Sequence, residues 1–259
     1  MPVYCTPFAA GLLETRRLAE PGAPKIPLKI VQQGARLSLP PFDIEFVPVA
    51  HSIPEACALA IRTPLGTILH TGDWKIDPTP FVGKPTDGER LKVIGDEGVL
   101  AMVGDSTNAL RDGISPSETD VANSLAELIA SAPHRVAVTT FASNVARVRA
   151  VAEAAQKAGR ELVVVGRAMD RVISVASELG YLDGLPQIFS SEVYEQLPRD
   201  KVVALLTGSQ GEQRAAMARV AADTHPDISL SPGDRVIFSS RAIPGNEKPV
   251  GNIINNLIR

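Results

Sequence analysis

Two side chains in the first third of the chain have the right chemistry to bind a metal ion. His51 follows the apolar stretch 43–50 (DIEFVPVA), and Asp73 follows the stretch 66–71 (GTILHT). An imidazole and a carboxylate are suitable ligands for zinc or manganese. His70, one residue inside the second stretch, could support them from an outer position. The alternative is structural: His51 caps a turn, and Asp73 closes a Gly-Asp turn.

The strands around these residues are expected to bring them together. The stretches 43–50, 57–63 and 66–71 are short and apolar or β-branched, with short connections, which predicts an up–down–up meander. The first and third strands then run in the same direction, so His51 and Asp73 emerge at the same edge of the sheet. The chain has only four histidines and no H-x-H-x-D-H or H-E-x-x-H motif. Because a two-metal hydrolase usually uses about four or five imidazoles with a bridging carboxylate, this pair cannot complete a dinuclear site within the chain.

From about residue 100, strand-like and helix-like patterns alternate, which is typical of βα units and a parallel sheet. The predicted strands are 99–104, 135–141, 161–166, 201–208 and 234–240, and the predicted helices are 117–132, 143–159, 168–180, 211–224 and 246–259. The segment 76–98 is rich in Pro, Gly and charge, which predicts a loop or a weak connection. The first hundred residues are predicted to be mostly strands. We therefore expect a strand-rich part to residue 104 and a doubly wound α/β part from 105 to 259.

Polar turns join the strands to the helices in the second part. They lie at 104–109 (GDSTNA), 139–148, 205–213 and 239–247. Since parallel strands end at one edge of a sheet, where helix N-termini offer free N–H groups, we expect all four turns to form an anion cradle there. Its candidate residues are Ser143, Asn144, Gly208, Ser209, Gly211, Ser240 and Asn246, with Arg147, Arg167 and Arg241 as further phosphate contacts. The alternative is that these residues only cap helices and make turns. Phe141 could stack on a base or pack in the core.

Composition limits the class of protein. The chain is 44% hydrophobic and 21% charged, which is ordinary for a soluble globular protein. It has no apolar run of about 20 residues and no secretory signal, so we expect a cytoplasmic protein that does not bind membranes. The two cysteines form no CxxC pair, which fits a reducing compartment. The net charge of −3 means that any nucleic-acid site must be locally positive. Without a G-x-G-x-x-G motif or a Walker lysine, a dinucleotide or P-loop ATP site is unsupported.

Eight motifs occur in an order that resembles ribonuclease J, an enzyme with a metallo-β-lactamase fold and an inserted β-CASP domain. They are PVYCTPFAAGLL, HSIPE, HTGDWKID, GDSTNA, TFASNVARV, VVVGRAMDR, LLTGSQGE and SSRAIPGNE. The resemblance implies part of an αββα metallo-β-lactamase domain at 1–104 and a β-CASP domain, incomplete at its C-terminus, at 105–259. It also implies hydrolysis of RNA by a zinc pair, with 5′-to-3′ exonuclease and endonuclease action.

The resemblance assigns roles to individual residues. His51 resembles a zinc ligand of the family, and Asp73 resembles the carboxylate that bridges both metals. Asp105 resembles the acidic residue of the first β-CASP motif, which helps to order the active centre. The residues implied to line the RNA path are Phe141, Ser143, Asn144, Arg167, Gly208, Ser209, Gln210, Ser240 and Arg241.

The sequence also departs from the family pattern. The family's H-x-H-x-D-H motif should precede residue 1, and its H-x-S-G-H and I-H-G-E motifs and its assembly domain should follow residue 259. We therefore expect an internal fragment that does not fully bind the two zinc ions of a complete site, from a protein that forms homo-oligomers. Two other functions remain open. One is a non-catalytic module that binds RNA or nucleotides. The other is a metallo-β-lactamase-fold hydrolase of a small thioester or lactam, against which the βα portion after residue 104 argues.

Overall fold

A computed structural model describes residues 1–110 and 112–258. The chain divides into two compact units, Met1–Thr119 and Asp120–Arg259. The boundary predicted from the sequence, at 104/105, lies earlier in the chain than this division after Thr119. The difference arises because the segment 105–118 is hydrogen-bonded to the first unit. The Asp105 N–H donates to Thr71 Oγ1 at 3.0 Å, and the Glu118 N–H donates to the Asp77 carboxylate at 3.0 Å.

The first unit contains a mixed five-stranded sheet. In chain order its elements are β1 (Val3–Cys5), α1 (Pro7–Ala19), β2 (Leu28–Ile30), β3 (Arg36–Leu39), β4 (Phe42–Pro48), β5 (Cys57–Thr63), β6 (Gly66–His70), α2 (Gly88–Glu97) and β7 (Ala101–Val103). The strand order is β3-β4-β5-β6-β7, antiparallel from β3 to β6, and β7 joins β6 in parallel. The predicted meander is therefore confirmed, and β4, β6 and β7 all run in the same direction. Separately, β1 and β2 form a two-stranded parallel sheet.

The sequence patterns predict neither α1 nor α2 of this unit. The prediction of a loop at 76–98 is wrong for α2, where the Asp87 side chain accepts the Arg90 N–H as an N-terminal cap. The helix has few apolar residues, so its periodicity is faint, but Ile94 is fully buried. The expectation of mostly strands near the N-terminus is wrong for α1. It begins at Pro7, a residue favoured in the first turn of a helix, and it buries Phe8 completely.

The core of the first unit lies between α2 and the central strands. Every second residue along β4 and β5 points to the same face of the sheet, because side chains alternate between the two faces of a strand. The buried cluster consists of Val47, Val49, Ala58, Ala60 and Ile94, and the partly buried Ala56, Leu69, Trp74, Leu91 and Val99 pack against it. This packing holds α2 on the sheet.

A charge network also joins α2 to the sheet. Glu45 of β4 is only 8% exposed. Its carboxylate accepts hydrogen bonds from Arg90 of α2 at 2.8 Å and from Arg62 of β5 at 2.9 Å. Glu97 pairs with Arg62 at 2.9 Å on the outer side. The hydrogen bond from Arg90, assisted by that from Arg62, lowers the pKa of Glu45 against the opposing effect of its burial.

The second unit is built around a parallel sheet. The helix α3 (Glu118–Ala130) begins at the end of the first unit and continues into the second. The elements that follow it are β8 (Val136–Thr139), α4 (Val145–Lys157), β9 (Glu161–Val165), α5 (Arg167–Glu178), β10 (Ile188–Phe189), two 3-10 turns (Ser191–Gln196 and Arg199–Lys201), β11 (Val202–Leu206), α6 (Ala216–Ala221), β12 (Arg235–Phe238) and α7 (Glu247–Ile258). The strand order is β10-β9-β11-β8-β12, and every pair is parallel. The predicted α/β class is confirmed.

Helices cover the sheet of the second unit through alternating strand residues. Val163 and Val165 of β9 belong to the buried cluster that contains Met217 of α6 and Ile253 of α7. The intervening Val164 is also buried, and α4 and α5 both contact β9. The helix predicted at 211–224 is shorter in the structure, where α6 begins only at Ala216. No helix within residues 1–110 and 112–258 is both long enough and apolar enough to cross a membrane.

The Glu45 network gives a prediction about stability. Replacing Glu45 with Gln should lower the free energy of unfolding at pH 7 by about 2 kcal/mol, because two arginines lose a shared, largely buried carboxylate. Since the folded-state pKa is lowered, the charge contributes fully above the ordinary value of 4.5 and its contribution is lost as the pH falls through the folded pKa. The difference between the Glu45→Gln variant and the unchanged chain should therefore shrink below pH 4.5.

Urea denaturation followed by circular dichroism at pH 7 and at lower pH measures this effect. The matched control is Glu97→Gln, which removes a carboxylate from the exposed side of the same network and should cost less than about 1 kcal/mol. Equal denaturation midpoints for Glu45→Gln and the unchanged chain at pH 7 would contradict the prediction.

Candidate functional site

Three predicted site residues of the first unit lie at one edge of its sheet. His51 follows β4, Asp73 follows β6, and Asp105 follows β7. Because these strands run in the same direction, the residues after them emerge together. Burial lowers the pKa of His51, while the nearby Asp73 and Asp105 carboxylates act in the opposite direction. The three side chains are therefore close enough to interact electrostatically, and His51 is biased toward the neutral form that binds metal ions.

Hydrogen bonds hold Asp105 beside this edge. Its carboxylate accepts the Thr107 N–H at 2.8 Å. The bonds from Thr107, together with one from the Trp74 backbone, lower the pKa of Asp105. The turn 104–109 thus belongs to the sheet of the first unit, because β7 pairs with β6. The prediction that this turn shares an edge with the three later turns is wrong.

Thr86 fixes the backbone next to both candidate ligands. The Lys75 N–H donates to the Ala50 carbonyl at 2.9 Å. Thr86 Oγ1 donates to the Lys75 carbonyl at 2.7 Å and accepts the Ala50 N–H at 2.9 Å. These bonds connect the residue before His51 to the segment just after Asp73. No sequence pattern predicts these bonds, since Thr86 lies in the segment 76–98 that is predicted to be a loop or a weak connection.

Asp77 links the same segment to the start of α3. It is 2% exposed and accepts the Thr79 and Glu118 N–H groups, each at 3.0 Å. Lys75 Nζ lies 2.9 Å from the carboxylates of both Asp77 and Glu118. The Asp-Pro pair at 77–78 was the available signal, because an aspartate before proline favours a turn that its own side chain closes.

These residues share an edge without forming a closed metal site. Within residues 1–110 and 112–258, no group of three or more His, Cys, Asp or Glu side chains is arranged to hold a metal ion. Asp73 is exposed, and His51 is half-buried with Ser52 Oγ 3.3 Å from its Nδ1. His70, considered as an outer support, is exposed, and its Nδ1 accepts the Gly72 N–H at 3.0 Å. Its observed role is in the local turn.

The second unit has its own polar edge. The turns after β8, β11 and β12 lie at one edge because these strands are parallel, as predicted. Phe141 and Ser143, after β8, are half-buried. Arg167, at the start of α5, and Arg241, after β12, are exposed. These four residues have the access that contact with a ligand requires.

Two other predicted contacts at this edge have structural roles. The Asn144 side chain accepts the Arg147 N–H at 2.9 Å and so caps α4. Gly208 has a φ of +113°, and a Cβ there would lie 2.9 Å from the Cβ atoms of Ala215 and Met217. The positive φ and the close packing together explain the glycine. For both positions the alternative of caps and turns describes the structure.

Gln210 organises the loop after β12. It is 5% exposed. Its Nε2 donates to the Arg241 carbonyl at 2.8 Å and to Ser240 Oγ at 3.3 Å. Its Oε1 accepts the Ile243 N–H at 2.8 Å and the Asn246 Nδ2–H at 3.4 Å. Both donors and both acceptor positions of the amide are therefore used. Gln210 shapes the loop that carries Ser240 and Arg241.

Two buried hydroxyls lie at the ends of the same strands. Thr139 Oγ1 and Ser209 Oγ have no hydrogen-bond partner within the described part of the chain. An unsatisfied buried polar group costs about 1–3 kcal/mol. Nearby, the Arg147 guanidinium donates to both the carbonyl and the hydroxyl of Ser239. The polar groups that this unit leaves unsatisfied thus include two at the edge where its strands end.

Comparisons with known proteins agree with this organisation. Residues 133–257 match the family model described as Ribonuclease J, beta-CASP domain. The chain is 54% identical over 258 residues to a ribonuclease J of Sinorhizobium meliloti, covering 100% of this chain and 46% of that protein. It is 41% identical over 262 residues to a ribonuclease J of Thermus thermophilus, covering 99% of this chain and 45% of that protein. The chain thus spans about half the length of these relatives.

One solved structure resembles the fold. A protein of unknown function from Enterococcus faecalis V583 matches with a TM-score of 0.59 at 15% identity, covering 99% of this chain and 68% of that one. At this identity the likeness concerns the fold alone. The sequence matches carry the assignment: the chain belongs to the ribonuclease J family, and its second unit contains the family's β-CASP domain.

Proposed function

We propose that this chain forms about half of a metal-dependent ribonuclease. The observation that carries the proposal is that His51, Asp73 and Asp105 follow three strands of one sheet that run in the same direction, so they emerge at one sheet edge. The ribonuclease J names of the relatives supply RNA as the substrate. We propose zinc as the metal, two ions in the complete site, and 5′-to-3′ exonuclease and endonuclease action. When bound at this edge, zinc would supply a hydroxide nucleophile near neutral pH and stabilisation of the leaving oxygen.

The residues of this chain prepare that edge. His51, neutral because burial disfavours its charged form, offers a ring nitrogen. Asp73 offers an exposed carboxylate. Asp105 is held ionised by the hydrogen bonds that lower its pKa, so it adds negative charge beside them. Thr86 keeps the two ligand-bearing segments together through Ala50 and Lys75.

We propose that the edge of the second sheet binds RNA phosphates. Arg167 and Arg241 supply exposed positive charge, and Ser143 supplies a hydroxyl close to the N-terminus of α4. Binding of RNA or nucleotides without cleavage is the second candidate function, because all these groups come from the second unit alone. The small-substrate hydrolase has no support among the relatives named here. Self-association of the whole protein and its cytoplasmic location stay predictions.

Loss of Asp73 tests the proposed metal chemistry. In a ribonuclease J-length protein that contains this chain, Asp73→Asn should lower both the zinc content and the cleavage of 5′-monophosphorylated RNA. The loss of activity should be at least about 100-fold, since even outer partners of metal ligands change function by about 10–100-fold. Elemental analysis and RNA digestion are the two measurements.

Asp96→Asn is the matched control, because Asp96 is an exposed aspartate of α2 that pairs with Lys92 of the same helix at 2.7 Å. It should behave like the unchanged protein. If the unchanged protein holds no metal and leaves RNA intact, the proposed function is wrong.

Removal of Arg167 tests the phosphate edge. Arg167→Ala in the 259-residue chain should weaken RNA binding and reduce the slope of log K against log salt by about 0.7, the value for one phosphate contact on a single strand. Filter binding at several salt concentrations measures the slope. Lys157→Ala removes a charge of the same sign from the C-terminal end of α4, whose N-terminus lies at the phosphate edge, and should leave the slope unchanged. Equal slopes for Arg167→Ala and the unchanged chain would refute the phosphate contact.

Removal of Gln210 tests its positioning role. Gln210→Ala should speed amide hydrogen exchange at Ile243 by about tenfold or more, because each buried hydrogen bond contributes about 0.5–1.5 kcal/mol and four bonds to this loop are lost. RNA binding should weaken with it, since the loop carries Arg241. Gln156→Ala removes an exposed glutamine near the C-terminal end of α4 and should change neither measurement. Unaltered exchange at Ile243 in Gln210→Ala would show that the loop holds its shape without this side chain.

A further inference from the structure

A cavity of the second unit lies between the turn at 210–213 and α7. Its volume is about 570 Å³, within the range of about 300–1,000 Å³ that ligand sites in proteins occupy. Pro249 and Ile253 of α7 provide apolar lining, together with Ala218 of α6. The polar lining includes carboxamides from the turn and from α7.

The walls of this cavity are firmly held together. A Cβ on Gly211 would lie 2.4 Å from Pro249 Cβ, and Gly211 has a φ of +80°, so the turn and the helix are in direct contact. Gln210 adds hydrogen bonds to the segment that leads into α7, including one from Asn246 at 3.4 Å. A ligand entering here meets a site that is already formed, which reduces the entropic cost of binding.

Several polar groups that line the cavity are uncommitted. Among the hydrogen bonds and ion pairs within residues 1–110 and 112–258, none involves the side chains of Gln213, Lys248, Asn252 or Asn256. All four residues are exposed. Asn252 and Asn256 are four residues apart on α7, so they lie on one face of the helix. The lining thus offers three free carboxamides and one cation beside an apolar surface.

These groups match the parts of a nucleotide. A carboxamide presents a donor and an acceptor side by side, the pattern with which Asn and Gln pair with the edge of a base. An ammonium group binds phosphate as a point charge. We propose that the cavity binds one nucleotide unit, with Asn252 and Asn256 at the base edge and Lys248 at the phosphate. The inference rests on the proposed RNA function and adds a base-recognising subsite to it.

NMR titration of the 259-residue chain tests the subsite. The probes are AMP, CMP and a 5′-phosphorylated triadenylate, followed through the side-chain amide signals of Asn252, Asn256 and Gln213. These signals should shift on binding. The double variant Asn252→Ala/Asn256→Ala should bind about tenfold more weakly or worse, as expected for loss of paired contacts to a base. Lys248→Ala should weaken binding of these phosphate-bearing probes but not of adenosine.

Asn255→Ala is the matched control, since Asn255 is exposed on the same helix but does not line the cavity. It should bind like the unchanged chain. Triadenylate binding much more tightly than AMP identifies the ligand as a nucleotide within RNA, and equal affinities identify a free mononucleotide. Absence of shifts at millimolar probe, or equal affinity of the double variant and the Asn255→Ala control, overturns the proposal.

The same titration separates this proposal from the proposed function. The backbone signals of Ser143 and Arg167 report the phosphate edge. Shifts there without shifts in the cavity leave the phosphate edge standing and overturn the subsite. Shifts confined to the cavity support the subsite and contradict the phosphate edge.

Discussion

In both units, several strands of one sheet run in the same direction, so their carboxyl ends lie at one edge of that sheet. This constraint places His51, Asp73 and Asp105 together after β4, β6 and β7. It equally places the turns after β8, β11 and β12 together. Side chains far apart in sequence meet without any single long-range contact having to bring them there. Strand direction therefore determines where the candidate site residues lie, and their side chains determine what they can bind.

Strand direction alone does not fix the turns, and a few buried or half-buried polar side chains do so. Thr86 and Asp77 do this in the first unit, and Gln210 does it in the second. Each uses several of its hydrogen-bonding positions on backbone groups, which have fixed geometry and cannot rotate away. Such residues do not themselves need access to a ligand. They determine how well the exposed residues beside them are aligned.

The sequence predicted the parts of the fold that depend on repeated patterns. The meander around His51 and the parallel sheet after residue 130 both follow from periodicity and from short connections. It did not predict α2, whose contact with the sheet rests on few apolar residues and on the charge network at Glu45. It grouped the turn at 104–109 with the wrong sheet, because a strand's partner is set by tertiary pairing that one sequence does not display. At the candidate site it could not separate Gln210, which is fully hydrogen-bonded, from Arg167, which is exposed.

The position of β8 has a consequence for biosynthesis. This strand lies between β11 and β12 and pairs with both, yet β12 follows it by nearly a hundred residues, as the 99-residue separation of Arg135 and Asp234 illustrates. At the ordinary translation rate of about 5–20 residues per second, β8 waits roughly 5–20 s on the ribosome for its second neighbour. During that interval one side of a strand with four buried residues is open to wrong pairing. Any wrong pairing of β8 therefore has this interval in which to form, before β12 covers that side of the strand.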